Sequence, residues 1–302
     1  MQTFLPYPSF LASAHVLDRQ RLGKQRVETL QILRALELPE YGWQNHPAVR
    51  MWRGRTPALV RYGLDCVGVW TGRGHGDSTA DQIAEFAPWV RELGQEELQR
   101  DSLLPYWLRD ERLHRSHRSQ LIAKDRQFYR PLFPETPEGL DYFWPEPDDV
   151  ATAPDAGPHR FLWVLRPESE HALGHAVLTG VIGFGDATGV PADASAGELA
   201  ALRELQTAPA RRPSRAVRAL AEFVASVQPG DDIGVLISGG QLLLIGQVTG
   251  SYTFIPRGPA GLTHRRAVRW DRVIPRSAMP RPAALQDVRP LFAVAWHPEL
   301  AH

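Results

Sequence analysis

The chain has 302 residues, long enough for two domains of ordinary size, and its composition is that of a folded protein: 43% hydrophobic, 23% charged, with 34 basic and 34 acidic side chains. Net neutrality excludes a bulk nucleic-acid coat but leaves room for a local basic cleft. The single cysteine, Cys66, excludes an internal disulfide and a cysteine-rich zinc site. With no apolar run of about 18 residues and no charged-then-apolar leader, the expectation is a cytoplasmic protein without a membrane segment.

Leu22, Val27, Leu30, Leu33 and Leu36 recur at close to every third residue, which predicts an amphipathic helix over 19–37. Pro47 and Thr56-Pro57 read as helix starts with proline in the first turn. Ser78 and Thr79 are placed to cap a helix running to Gly94, and another helix is predicted over 110–126. The stretch from Pro134 to Pro158 is rich in Pro, Asp and Ala and reads as a linker, giving domains at 1–145 and 159–302 with 146–158 between them. Further on, Phe161–Leu165, Val181–Phe184, Ile233–Ile237, Leu242–Val248 and Ala267–Trp270 read as strands, with Gly239-Gly240 as a hairpin turn and helices over 196–207 and 214–227. The predicted fold class is α+β: an all-α N-terminal domain, then a small β-barrel, open or closed, with helices.

Charge is clustered in the first half. Arg19, Arg21, Lys24, Arg26 and Arg34 face one acid, Glu28; Arg50, Arg53, Arg55 and Arg61 face none; and residues 109–130 are again mostly basic. This pattern reads as a basic surface for nucleic acid. Only two basic residues are lysines, Lys24 and Lys124. Arginine cannot give up its proton at usable pH, so these two are candidates for amine chemistry, with phosphate contact as the alternative. His114, His117 and Lys124 share one helical face, as donors to phosphate or as packing residues; no metal site and no cofactor are predicted. Trp43, Trp52, Trp70, Trp89 and Trp107 are assigned to the core by default, with one or two free to stack on a base.

Several segments carry a resemblance: Leu17–Glu28, Gly42–Trp52, Arg73–Thr79, His114–Tyr129 and Phe133-Pro134. In this order they resemble a bacterial branch of the phage-type pyrimidine-dimer DNA glycosylase family. The resemblance implies an all-α enzyme that bends damaged duplex, extrudes a nucleotide, cuts the glycosidic bond with an amine nucleophile and nicks the backbone through a Schiff base. It further implies that the family's catalytic glutamate falls on Gln25, with Glu28 one turn further along. The bulk of Gln2 keeps Met1 in place, so the competing amines are the α-amine of Met1, Lys24 and Lys124. The candidate catalytic residues are Met1, Lys24, Gln25 and Glu28. The expected DNA contacts are Arg19, Arg21, Arg26, His46, Arg50, Arg53, His114, His117, Arg118 and Lys124.

The C-terminal half, through Phe161–Arg166, Gly180–Gly185, Phe223–Asp232, Leu244–Tyr252 and His264–Arg276, is similar to the PUA-like superfamily and within it to EVE-type modules. That implies a pocket for one modified base, with Trp163, Phe184, Tyr252 and Trp270 as its aromatic walls and Arg166, His264 and Arg266 as polar groups. The expected function is a DNA glycosylase with abasic-site lyase chemistry and a reader of modified bases, acting on damaged or modified double-stranded DNA in repair or anti-phage defence. The alternatives are a non-catalytic binder of such DNA, which Gln25 favours, and an RNA-binding protein.

Overall fold

A computed structural model describes residues 1–147, 160–185, 188, 193–194 and 214–296. The chain divides into two compact units, Met1–Ala156 and Gly157–His302. The helix expected over 196–207 lies outside the described residues, as does most of the expected linker.

Unit 1 is helical: α1 (Phe10–Val16), α2 (Arg19–Glu37), α3 (Pro47–Arg50), α4 (Thr56–Gly72), α5 (Ala80–Ala84), α6 (Gln95–Arg100), α7 (Glu111–Lys124) and α8 (Arg126–Tyr129). Asp18 starts α2 by accepting the Arg21 N–H at 3.0 Å, and Asp110 caps α7 through the Arg112 N–H at 2.9 Å. The helix expected from Ser78 to Gly94 is broken in two. Pro88 has no N–H to continue the ladder, so α5 stops at Ala84 and a 3-10 turn covers Pro88–Glu92.

α2 and α4 pack closely through Leu22, Leu30 and Leu33 on one side and Leu59, Tyr62 and Cys66 on the other. Gly63 permits the approach, since a β-carbon there would sit 2.7 Å from Thr29 Cγ2. Trp52 and Trp107, both fully buried, meet edge to face at 4.9 Å. Residues 134–147 are not free linker. Leu140 and Phe143 donate their N–H groups to Ser119 and Ser116 of α7, and Tyr142, Phe143 and Trp144 pack on the unit's core.

Unit 2 is built on β1 (Arg160–Leu165), β2 (Val181–Gly185), β3 (Asp232–Ile237), β4 (Leu242–Val248), β5 (Thr253–Phe254), β6 (Leu262–Pro275) and β7 (Leu291–Trp296), with α9 (Glu170–Thr179) and α10 (Arg215–Ala225). The strand order is β2-β6-β4-β3-β1-β7, with β5 on β6. β1 and β3 run parallel and the other pairs antiparallel. β6, read from the sequence as a short strand at 267–270, spans three partners: its first half pairs with β2 and β5 and its second with β4. Among the described residues the outer strands β2 and β7 do not pair with each other, so the sheet is open rather than a closed barrel.

Both faces of this sheet are covered, which is why its strands read as nearly continuous apolar runs. Along β1, Leu162 and Val164 enter one core with Leu243, Ile245, Leu285 and Phe292, while Trp163 and Leu165 face the other with Leu220, Phe223 and Ile233.

Candidate active site

The site grows from the first residues of unit 1. Gln2, Thr3, Phe4 and Leu5 form no regular element yet are buried, so their backbone polar groups need partners inside the protein. Side chains of α2, α4 and α7 supply them. Gln25 Oε1 accepts the Phe4 N–H at 2.8 Å and the Tyr62 hydroxyl at 2.5 Å, while its Nε2 donates to the Gln2 carbonyl at 3.1 Å. His117 Nδ1 accepts the Leu5 N–H at 2.9 Å, and His114 Nδ1 meets the Leu5 carbonyl at 2.7 Å. Arg118 donates to the Pro6 carbonyl at 2.9 Å, and Trp52 Nε1 to Thr3 Oγ1 at 3.0 Å.

A segment pinned this way presents its terminal amine in one place. The Met1 α-amine lies 4.0 Å from Glu28 Oε1, with the Met1 side chain 6% and the Glu28 side chain 22% exposed. Glu28 Oε2 accepts the Gln2 N–H at 3.2 Å and a hydrogen from Gln25 Nε2 at 3.3 Å. The carboxylate beside the amine is therefore Glu28. Gln25, on which the family's glutamate was expected to fall, is a buried brace with both ends of its amide engaged. An amine and a partly exposed carboxylate in this arrangement can exchange a proton and stabilise a cation formed next to them.

Around the pair stands a row of rings. His46 caps α3 by accepting the Ala48 N–H on Nδ1 at 3.1 Å. Its pKa is lowered by partial burial and then by the Met1 ammonium, with Glu28 opposing. Tyr142 is raised by burial first and by Glu28 in addition. Trp43 and Trp144 flank His46 edge-on at 5.8 and 6.2 Å.

The expected DNA contacts divide into two groups. Arg19, Lys24, Arg50, Arg53 and Lys124 are exposed, and Lys24 sits one turn before Glu28 on α2. The others are held inside the structure. Arg21 binds Asp18 and the Lys124 carbonyl. Arg26 pairs with Asp77 and lies 4.3 Å over the Trp70 ring. Arg118 pairs with Glu111 besides holding Pro6. His114 and His117, expected at the DNA, are buried at 1% and 0% exposure and hold the N-terminal segment. Burial, with the nearby His114 charge adding to it, brings the His117 pKa from an ordinary 6.5 down to about 3.

The shift at His117 has a measurable result. Between pH 6.5 and about 3 the unfolded chain binds a proton that the folded one does not, so stability falls as pH drops through this window by about 1.4 kcal/mol per pH unit. In His117→Asn the side-chain oxygen can still accept the Leu5 N–H but cannot titrate. Urea unfolding is expected to show roughly 2 kcal/mol less loss between pH 7 and pH 5 than in the wild type.

In unit 2 the seven expected pocket residues do not converge, and Arg266 is buried, donating to the carbonyls of Phe223 and Val224. Phe184 is 1% exposed and meets Phe223 in the core. Arg166 donates to the carbonyls of Asp287 and Leu285, and Trp270 to that of Ala176. Trp163 donates to Asp231 and, with Phe161 and Asp232, lines an open cleft of about 520 Å³. Only Tyr252 and His264 come together, the hydroxyl 2.8 Å from Nδ1, with Phe254 beside the imidazole at 5.2 Å. No three His, Cys, Asp or Glu side chains gather as metal ligands among the described residues, and no helix there is long and apolar enough to cross a membrane.

Sequence reasoning did not single out Tyr62, Tyr142 or Trp144, and it placed Trp43 in the core by default. Tyr142 and Trp144 were masked by their Pro-rich and acidic surroundings. Trp43 had a usable signal, a bulky aromatic in a turn just before His46-Pro47.

Residues 1–83 match a family model described as pyrimidine dimer DNA glycosylase, and residues 179–279 match a domain of unknown function (DUF8426). No curated protein matches the chain. The first match supports glycosylase-type chemistry on DNA in the N-terminal part and contains Met1, Gln25, Glu28 and His46. The second gives no support to the PUA-like, EVE-type resemblance.

Proposed function

We propose that unit 1 is a DNA glycosylase and abasic-site lyase that uses the Met1 α-amine as nucleophile and Glu28 as its proton-handling partner. The observation that carries this reading is the 4.0 Å approach of the amine to Glu28 on a segment anchored by three helices.

In the reaction the amine nitrogen forms a bond to the sugar C1′ as the bond from C1′ to the base breaks. The base leaves with the electron pair and takes up a proton from solvent, the amine's proton passes to Glu28, and Glu28 returns it to the ring oxygen as the bond from C1′ to that oxygen breaks. Opening of the sugar ring gives a protonated imine, which acidifies the neighbouring C2′ proton. Loss of that proton expels the 3′ phosphate and nicks the strand. The partly exposed carboxylate of Glu28 also steadies the positive charge that builds at C1′. Exposed Arg19, Lys24, Arg50, Arg53 and Lys124 are the proposed phosphate contacts. Unit 2 is proposed to narrow target choice by reading a base, a role supported by the cluster of Tyr252, His264 and Phe254.

Borohydride trapping on a duplex with an abasic site tests the chemistry. A covalent adduct is expected with wild type, Lys24→Ala and Lys124→Ala, and none when the α-amine is blocked. Loss of the adduct in Lys24→Ala instead would move the nucleophile to that side chain. Absence of any adduct with tight binding retained would make the protein a binder, and competition between matched DNA and RNA oligonucleotides would then name its partner.

A further inference from the structure

We infer that Trp43 and Trp144 form a stacking surface for one nucleobase at the mouth of the Met1–Glu28 site. This rests on the reading of that site given above and adds how the substrate is recognised.

Trp43 is 66% exposed, among the most exposed large apolar side chains of the unit. Its backbone is left-handed, with φ +73°, a region that β-carbon sterics disfavour for every residue but glycine. Neither exposure nor strain helps the fold, yet the turn is braced to keep both. The His46 N–H donates to the Trp43 carbonyl at 2.9 Å, Arg53 to the Gln44 carbonyl at 3.0 Å, and the Gln44 side chain to the Leu38 carbonyl at 3.3 Å. Strain retained by a well-determined surrounding is a mark of function.

The rings line up toward the chemistry. Trp43 meets His46 at 5.8 Å and 68°, His46 meets Trp144 at 6.2 Å and 86°, and Trp144 meets Tyr142 at 5.3 Å and 38°. Tyr142 in turn meets the His117 ring at 5.8 Å and 77°, and His117 holds Leu5 of the N-terminal segment, which sets the row beside the segment that carries the amine.

The charges nearby choose the occupant. Arg50 and Arg53 are exposed next to the row, and the Arg50 pair with Glu146 is solvated on both sides, at 47% and 80% exposure, so it exchanges readily for a phosphate. An aromatic face flanked by an exchangeable guanidinium group, that of Arg50, fits a nucleotide: the base on the ring, the phosphate on the cation. A lipid tail or an apolar peptide would leave the cations unused.

The test compares two labelled duplexes that differ at one central position, by fluorescence anisotropy. One carries a tetrahydrofuran abasic analogue, which has no base to stack; the other carries a thymine–thymine mismatch, whose weak pairing allows extrusion. Trp43→Ala and Trp144→Ala are each expected to weaken binding of the mismatched duplex on the order of ten-fold and binding of the abasic duplex hardly at all, with Trp43→Phe restoring most of the loss. Equal loss on both duplexes, no loss on either, or no binding by the wild type would overturn the proposal. Thermal unfolding of each variant checks that the fold survives. Borohydride trapping on a natural abasic site separates this proposal from the one it rests on. If the wild type fails to trap while mismatch binding still depends on Trp43, the amine chemistry falls and the stacking surface stands.

Discussion

Glu28→Gln is expected to lower the single-turnover rate of strand cleavage at an abasic site by about 10²–10⁴-fold, the span typical of losing a positioned acid–base group. The substitution keeps the shape of the side chain and leaves an amide oxygen that can accept the Gln2 N–H, which now goes to Glu28 Oε2 at 3.2 Å. In the proposed reaction it removes the group that takes the amine's proton and the negative charge that steadies C1′. The folded structure should therefore persist, with an unfolding midpoint near that of the wild type and binding to the abasic-analogue duplex retained. A rate close to wild type would show that Glu28 only anchors the chain terminus.

Gln25→Glu is expected to cost roughly 3 kcal/mol of stability and to reduce trapping rather than raise it. If residue 25 were a catalytic position that had lost its acid, restoring glutamate would increase activity. The structure predicts the reverse. Gln25 is 1% exposed and uses its Nε2 as a donor to the Gln2 carbonyl and to Glu28 Oε2. A carboxylate there has no donor to offer, sets a second negative charge against Glu28, and faces a carbonyl oxygen with another oxygen. The N-terminal segment would loosen, carrying the Met1 amine away from Glu28. Urea unfolding and borohydride trapping on the same preparation check both parts; a gain in adduct yield would overturn the assignment of Gln25 as a brace.

How far the site was legible follows from helical geometry. Gln25 and Glu28 are three residues apart, so both point toward the same side of α2 and a sequence can name the pair. Which of them reaches the amine depends on how residues 1–6 thread between α2, α4 and α7, and that path is set by contacts far apart in sequence, such as Leu5 with His117 and Phe4 with Tyr62. The same holds for His114 and His117. Their spacing shows a shared face, but only the packing shows that the face is turned inward. Arg26 looked like a free cation until Asp77 and Trp70 appeared beside it. In unit 2, only the 267–270 stretch of β6 was legible because its arginines interrupt the apolar pattern, although Arg265 and Arg266 are buried and bonded to the carbonyls of Leu262 and Phe223.

By itself the sequence determined the α+β class, the position of α2 and the approximate positions of α7 and most strands, because these follow from local periodicity, capping residues and proline placement. It also determined that an amine and a carboxylate were candidates, since residue types carry their chemistry with them. The tertiary structure alone decided which carboxylate meets which amine, which cations are held in ion pairs, and which tryptophan faces solvent. Those are properties of distance and burial, and they arise only when segments remote in the chain are brought to one place by a common core.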